Sequence, residues 1–177
     1  MIPSTTIVAT LSFVALCIVG DVRTRRIPNL LCGLAIVVGV LLNTAHSGTV
    51  GLLASMEGTL AAMALLLFPF SMGGIGGGDV KMMGAIGALL GLHAGIMALF
   101  AGLVFGGVIM AIHLVRLGRL GKTAATVATM VAASFLGRSL DPLRTSAAQP
   151  GAITLPYSVP LGLGTLAVLV TPGTFGL

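Results

Sequence analysis

Residues 82–115 read MMGAIGALLGLHAGIMALFAGLVFGGVIMAIHLV, a run without one formal charge. As a single straight helix it would be about 50 Å long, against the about 30 Å of hydrocarbon that one crossing must span. The stretch must therefore turn back on itself, and Gly91-Leu92-His93-Ala94-Gly95 is where small and polar residues allow the break. This decides the fold class, an all-α polytopic membrane protein. The remaining uncharged runs, 1–20, 27–56, 58–78, 123–137 and 145–177, extend it over the chain. The run 27–56 divides in the same way, at Asn43-Thr44-Ala45-His46-Ser47-Gly48.

Whole-chain composition agrees. Of 177 residues, 56% are hydrophobic and 7% charged, and mean hydropathy is +1.14, whereas soluble domains carry roughly 25% charged residues. The net charge of +5 is too thinly spread to build the basic surface of a nucleic-acid binder, so no nucleic-acid partner is expected. Two cysteines, Cys17 and Cys32, both in apolar stretches, exclude a disulfide scaffold and a four-thiolate metal site within one chain. No metal and no cofactor are expected.

The predicted spans are 4–20, 28–43, 50–69, a short 80–91, 95–115 and 155–172, about six crossings in one domain over 1–177. The first lacks a basic leader region and a small-residue cleavage site, and so reads as a retained helix. Loops after the first, third and fifth spans share a side and carry Arg23, Arg25 and Arg26, then Lys81, then Arg116, Arg119 and Lys122. The positive-inside rule makes that side cytoplasmic, with Ser47 and Leu177 outside. Residues 123–137 read as an interfacial helix with Val127, Met130, Val131 and Phe135 on its apolar face. The alternative, a seventh crossing, would put Arg138 and Arg144 outside. Glycines recur at close-packing spacing, at Gly87, Gly91 and Gly95, then Gly102 and Gly106.

Only four carboxylates are present, and two of them, Asp21 and Asp79, fall at ends of spans that share the cytoplasmic side. Ionisable groups at the hydrocarbon boundary are costly and point to function. Plainer roles also exist. Asp21 can pair with Arg23 or Arg25, and Asp79 can cap a helix beginning near Val80. Asp79, however, follows the glycine-rich stretch Gly73 to Gly78, a loop open enough for an extended peptide to approach the carboxylate. Neither a phosphate-binding loop nor a dinucleotide fingerprint fits, because the stretch continues Gly-Asp-Val-Lys and no soluble βαβ unit precedes it. Two aspartates sharing one proton can hydrolyse a peptide bond, one as base on water and the other as acid. Glu57, His93 and His113 carry less, and Met82 and Met83 serve either packing or an adaptable contact with an apolar helix.

Asp21-Val-Arg-Thr-Arg-Arg-Ile-Pro-Asn29, Gly76-Gly-Gly-Asp-Val-Lys81 and Leu155-Pro-Tyr-Ser-Val-Pro160 resemble, in order, three signatures of the type IV prepilin peptidases. The resemblance implies a membrane aspartic endopeptidase of the bacterial inner membrane that removes the basic leader of prepilin or pseudopilin precursors at the cytoplasmic face. It implies Asp21 and Asp79 as the catalytic pair. Around them it implies Gly76, Gly77 and Gly78, Lys81 as a residue that holds or tunes Asp79, and Pro28, Asn29, Pro156 and Tyr157 as supporting or substrate-binding positions. The short chain is most similar to peptidases of Flp-type, tight-adherence pilins, or to the preflagellin peptidases, without the soluble zinc-binding insertion of larger members and with their N-methyltransferase activity in doubt. Membrane lipid is a further partner, and a homo-oligomer stays open. The competing reading is a small transporter or secretion-system subunit in which Asp21, Asp79 and Lys81 form a proton or ion relay.

Overall fold

The computed structural model describes residues 2–71, 75–118 and 157–171. These form four helices: α1 (Ser4–Thr24), α2 (Asn29–Ser71), α3 (Gly77–Arg116) and α4 (Ser158–Val170). The first three are long and apolar enough to cross a membrane, and α4 is a shorter apolar helix. The expected interfacial helix 123–137, with Arg138, Asp141 and Arg144, lies outside the described residues.

α2 and α3 are each two helical arms joined at one glycine. Gly48 has φ 59° and ψ −136°, and Gly91 has φ 80° and ψ 179°, conformations that side chains with a Cβ rarely adopt. The arms fold back sharply. A Cβ placed on Gly95 would lie 2.9 Å from the Gly87 Cα, although residues eight apart in a straight helix are about 12 Å apart. Likewise, a Cβ on Gly51 would overlap the Asn43 carbonyl. Both helical hairpins are therefore present, with narrower turns than the sequence suggests. Asn43 and Ser47 stay helical before Gly48, and His93 is helical after Gly91.

Other boundaries shift too. α1 continues past residue 20 to Thr24, so Asp21 lies in its last turn. Arg25 ends it in the left-handed region (φ 51°), its N–H bonded to the Asp21 carbonyl at 2.7 Å. Pro28 cannot continue that helix and instead starts α2, its carbonyl accepting from the N–H groups of Leu31 and Cys32. α3 starts at Gly77 rather than at residue 80.

The first arm of α3 is the centre of the bundle. Met82, Met83, Ala85, Ile86 and Ala88 are fully buried, so Met82 and Met83 serve packing and not an open contact surface. Close approach at glycine holds it. A Cβ on Gly58 would overlap the Gly87 carbonyl, and one on Gly39 would come 2.7 Å from the Ala88 carbonyl carbon. The second arm meets α4 in the same way, with a Cβ on Gly102 at 2.9 Å from the Leu161 Cα. Cys17 and Cys32 are both buried, and Glu57 is exposed to the bundle's surroundings.

A short central arm ends inside the protein, where its last carbonyls have no helical partners. In hydrocarbon an unpaired carbonyl is costly, so side chains must supply donors. Asn43 Nδ2 donates to the carbonyls of Ala88 (2.9 Å) and Leu89 (3.0 Å) and to Ser55 Oγ (2.8 Å). Ser55 Oγ in turn donates to the Ala88 carbonyl at 2.8 Å. The hydroxyls of Thr10 and Thr165 are satisfied by the preceding turn, at the carbonyls of Thr6 and Leu161, whereas the buried Thr44 hydroxyl in α2 has no hydrogen-bond partner among the described residues.

Candidate active site

Because each hairpin returns the chain to the end it left, the C-terminus of α1 and the N-termini of α2, α3 and α4 meet at one end of the bundle. There a cavity of about 480 Å³ is lined by Asp21, Arg25, Arg26, Ile27, Pro28, Asn29, Gly76, Gly77, Gly78 and Asp79. Two carboxylates from helices almost sixty positions apart thus face one space, near enough for the charge of Asp21 to act on Asp79.

Asp79 is held by the start of its own helix. Gly76 precedes the first turn in extended conformation, Asp79 N–H donates to its carbonyl at 3.1 Å, and Gly76 N–H donates back to Asp79 Oδ2 at 3.3 Å. The expected capping role therefore exists, from the third helical position and not from the residue before the helix. Capping does not account for the burial, since Asp79 retains 9% exposure where a cap at a bundle's end can sit in water. Gly77 and Gly78 belong to the first helical turn and not to an open loop, which corrects the extended glycine platform expected over residues 73–78; residues 72–74 lie outside the described residues. A Cβ on Gly78 would touch Ile27 at 3.5 Å, and one on Gly77 would touch the Phe70 ring at 3.4 Å. At Gly76 the nearest atom is Asp79 Oδ2 itself, at 3.1 Å.

Asp21 is half-buried. Its Oδ2 accepts a hydrogen bond from Ser158 Oγ at 2.6 Å, and Ser158, the first residue of α4, is fully buried. That contact joins the first and third sequence signatures through a residue the sequence reading passed over. Its signal was its place beside Tyr157, in a signature whose prolines and aromatic drew the attention. Arg25, read from sequence as a topology signal and a possible partner of Asp21, and Arg26, read as a topology signal, also line the cavity.

Lys81 is exposed, and its Nζ donates to Asn29 Oδ1 at 2.9 Å. It braces the start of α2 against α3; the expected hold on Asp79 is replaced by this contact. Tyr157 stands apart from the carboxylates, in an apolar groove with Leu65, Phe68, Pro69, Ile75, Leu99 and Leu103. Pro156 lies outside the described residues. Among the described residues, no group of three or more His, Cys, Asp or Glu side chains converges in a way that could hold a metal ion.

A sequence model of the type IV leader peptidase family matches residues 8–111, well over half of the chain and both aspartates. No curated protein and no solved structure matches it.

Proposed function

From the premise that the chain belongs to the type IV leader peptidase family, we propose that it is an aspartic endopeptidase whose catalytic pair is Asp21 and Asp79. The observation that carries the reading is the single cavity lined by both carboxylates together with Gly76 and Asn29. In this mechanism one carboxylate takes a proton from water as the hydroxide adds to the scissile carbonyl. The other, protonated, gives its proton to the carbonyl oxygen. Collapse of the tetrahedral species breaks the C–N bond; the proton gained from water passes to the leaving amine, and as the C=O re-forms a hydroxyl proton of the gem-diol returns to the other carboxylate, so the pair is back in its starting state with one proton shared.

The substrate is a type IV pilin-like precursor of the Flp class, cleaved after its basic leader. With six crossings and the basic residues collected inside, the cavity opens to the cytoplasm of a bacterial inner membrane. Six helical segments and the common end of Asp21, Asn29, Asp79 and Ser158 support this arrangement. The chain then acts as one membrane-embedded domain without a zinc-binding insertion, in contact with lipid and the pilin precursor, and N-terminal methylation is no part of the reading.

Coexpression with candidate precursors, followed by mass measurement of their N-termini, tests it. Asp21→Asn and Asp79→Asn should each nearly abolish cleavage, with the double variant little worse than either, because the two groups act as a unit. Glu57→Gln should retain most activity. Normal cleavage by both single variants overturns the peptidase mechanism and leaves an ion relay as the role of the pair.

A further inference from the structure

Resting on the peptidase reading, we propose that Ser158 is a positioning residue for the reaction, its hydroxyl holding the Asp21 carboxylate in the orientation from which it works on water. A serine with no exposed surface spends its hydroxyl either on its own helix, as Thr10 and Thr165 do four residues back, or on a partner elsewhere. Ser158 is the first residue of α4, and its hydroxyl reaches across 137 positions to Asp21 Oδ2 at 2.6 Å. That length is typical of an O–H donor meeting a charged oxygen.

Its setting adds direction. Leu161 N–H bonds to the Tyr157 carbonyl at 3.2 Å within the first turn of α4, and Pro160 has no N–H to offer. The start of α4, with its positive end, thus lies beside Asp21. Asp21 itself sits in the last turn of α1, which the left-handed Arg25 ends. The contact from α4 ties its carboxylate to a second helix. Ser158 need not touch substrate to matter, since a reacting group displaced by about 1 Å can lose about a hundredfold in rate.

The test compares the purified enzyme with Ser158→Ala, Ser158→Thr and Thr171→Ala, using a type IV pilin precursor that the unmodified enzyme cleaves, with kcat and KM measured separately. Thr171→Ala removes a hydroxyl from the far end of the same helix, where it bonds the Ala167 carbonyl. Ser158→Ala should lower kcat about ten- to a hundredfold with KM changed less than about twofold. Ser158→Thr, which keeps the hydroxyl, should recover most of the loss, and Thr171→Ala should match the unmodified enzyme. A Ser158→Ala enzyme with unchanged kcat, or with the whole effect in KM, overturns the proposal. Asp21→Asn run in parallel separates the two readings. If it is inactive while Ser158→Ala is normal, only the positioning role falls; if it cleaves normally, the catalytic pair itself falls.

Discussion

Lys81 donates to the side-chain oxygen of Asn29 at 2.9 Å, so the two signatures that carry the aspartates are joined directly, by a bond that involves neither aspartate. Lys81 leaves the first arm of α3 two residues after Asp79, and Asn29 opens α2 and lines the cavity beside Ile27 and Pro28. The bond therefore sets the distance between the helix starts that enclose the site. Lys81→Met and Asn29→Ala should each reduce cleavage only several-fold, because an exposed hydrogen bond is worth about 1 kcal/mol. The double variant should equal the worse single one. Additive losses in a double-mutant cycle would show that the two residues act separately.

The three glycines of the second signature should not respond alike to alanine. Gly77→Ala and Gly78→Ala add a methyl at ordinary contact distance from Phe70 and Ile27 and gain up to about 1 kcal/mol of helix propensity, so both should retain activity. Gly76→Ala places its methyl 3.1 Å from Asp79 Oδ2, and cleavage should fall at least about tenfold while membrane levels stay unchanged. Gly78→Val, whose extra methyls press on Ile27, should also block processing. Equal activity across the series, measured as precursor conversion, would detach these glycines from the site.

Removing the donors at the buried end of the central arm should cost stability and not chemistry. Asn43→Leu leaves the Leu89 carbonyl without the amide that now bonds it, while Ser55 still reaches that of Ala88. A loss of about 1–3 kcal/mol is expected. It would be read as a lower midpoint of thermal unfolding in detergent, with kcat of the folded fraction preserved. A midpoint equal to that of the unmodified protein would mean that lipid or water replaces the donor.

Gly91→Leu should be the most disruptive change far from the cavity. Gly91 adopts φ 80° and lies against Ala54, so a branched side chain meets both backbone strain and a crowded neighbour. The hairpin would open, and little protein should accumulate in the membrane. Accumulation at normal levels, assayed by immunoblot of membranes, would contradict the reversal at this glycine.

A chelator should leave hydrolysis intact. The proposed chemistry uses two carboxylates and water, and neither Cys17 nor Cys32 reaches the cavity lining, so EDTA has no ion to remove from the mechanism. Activity lost with EDTA and restored by zinc would sink the two-aspartate account.

Apolar runs separated by a few charges were enough to read helices, because a chain that must satisfy its backbone hydrogen bonds in lipid has little choice but to be helical. Length against bilayer thickness then required 82–115 and 27–56 to fold back, and the turns fell at Gly91 and Gly48, inside the stretches that composition marked. The pair Asp21 and Asp79 was legible for a similar reason, since charges are so rare here that those at helix ends stand out. Which residues meet was not legible. Helices that are apolar on nearly every side carry no periodic signal for the face that turns inward, and rotation and register are chosen by packing, glycine against glycine at Gly58 and Gly87. Only that packing could pair Ser158 with Asp21, direct Lys81 to Asn29 instead of Asp79, place Tyr157 in a separate groove and make Asn43 a donor to a helix end some forty-five residues away. Contacts across such separations depend on the relative rotation and register of whole helices, which tertiary packing sets and local sequence does not encode.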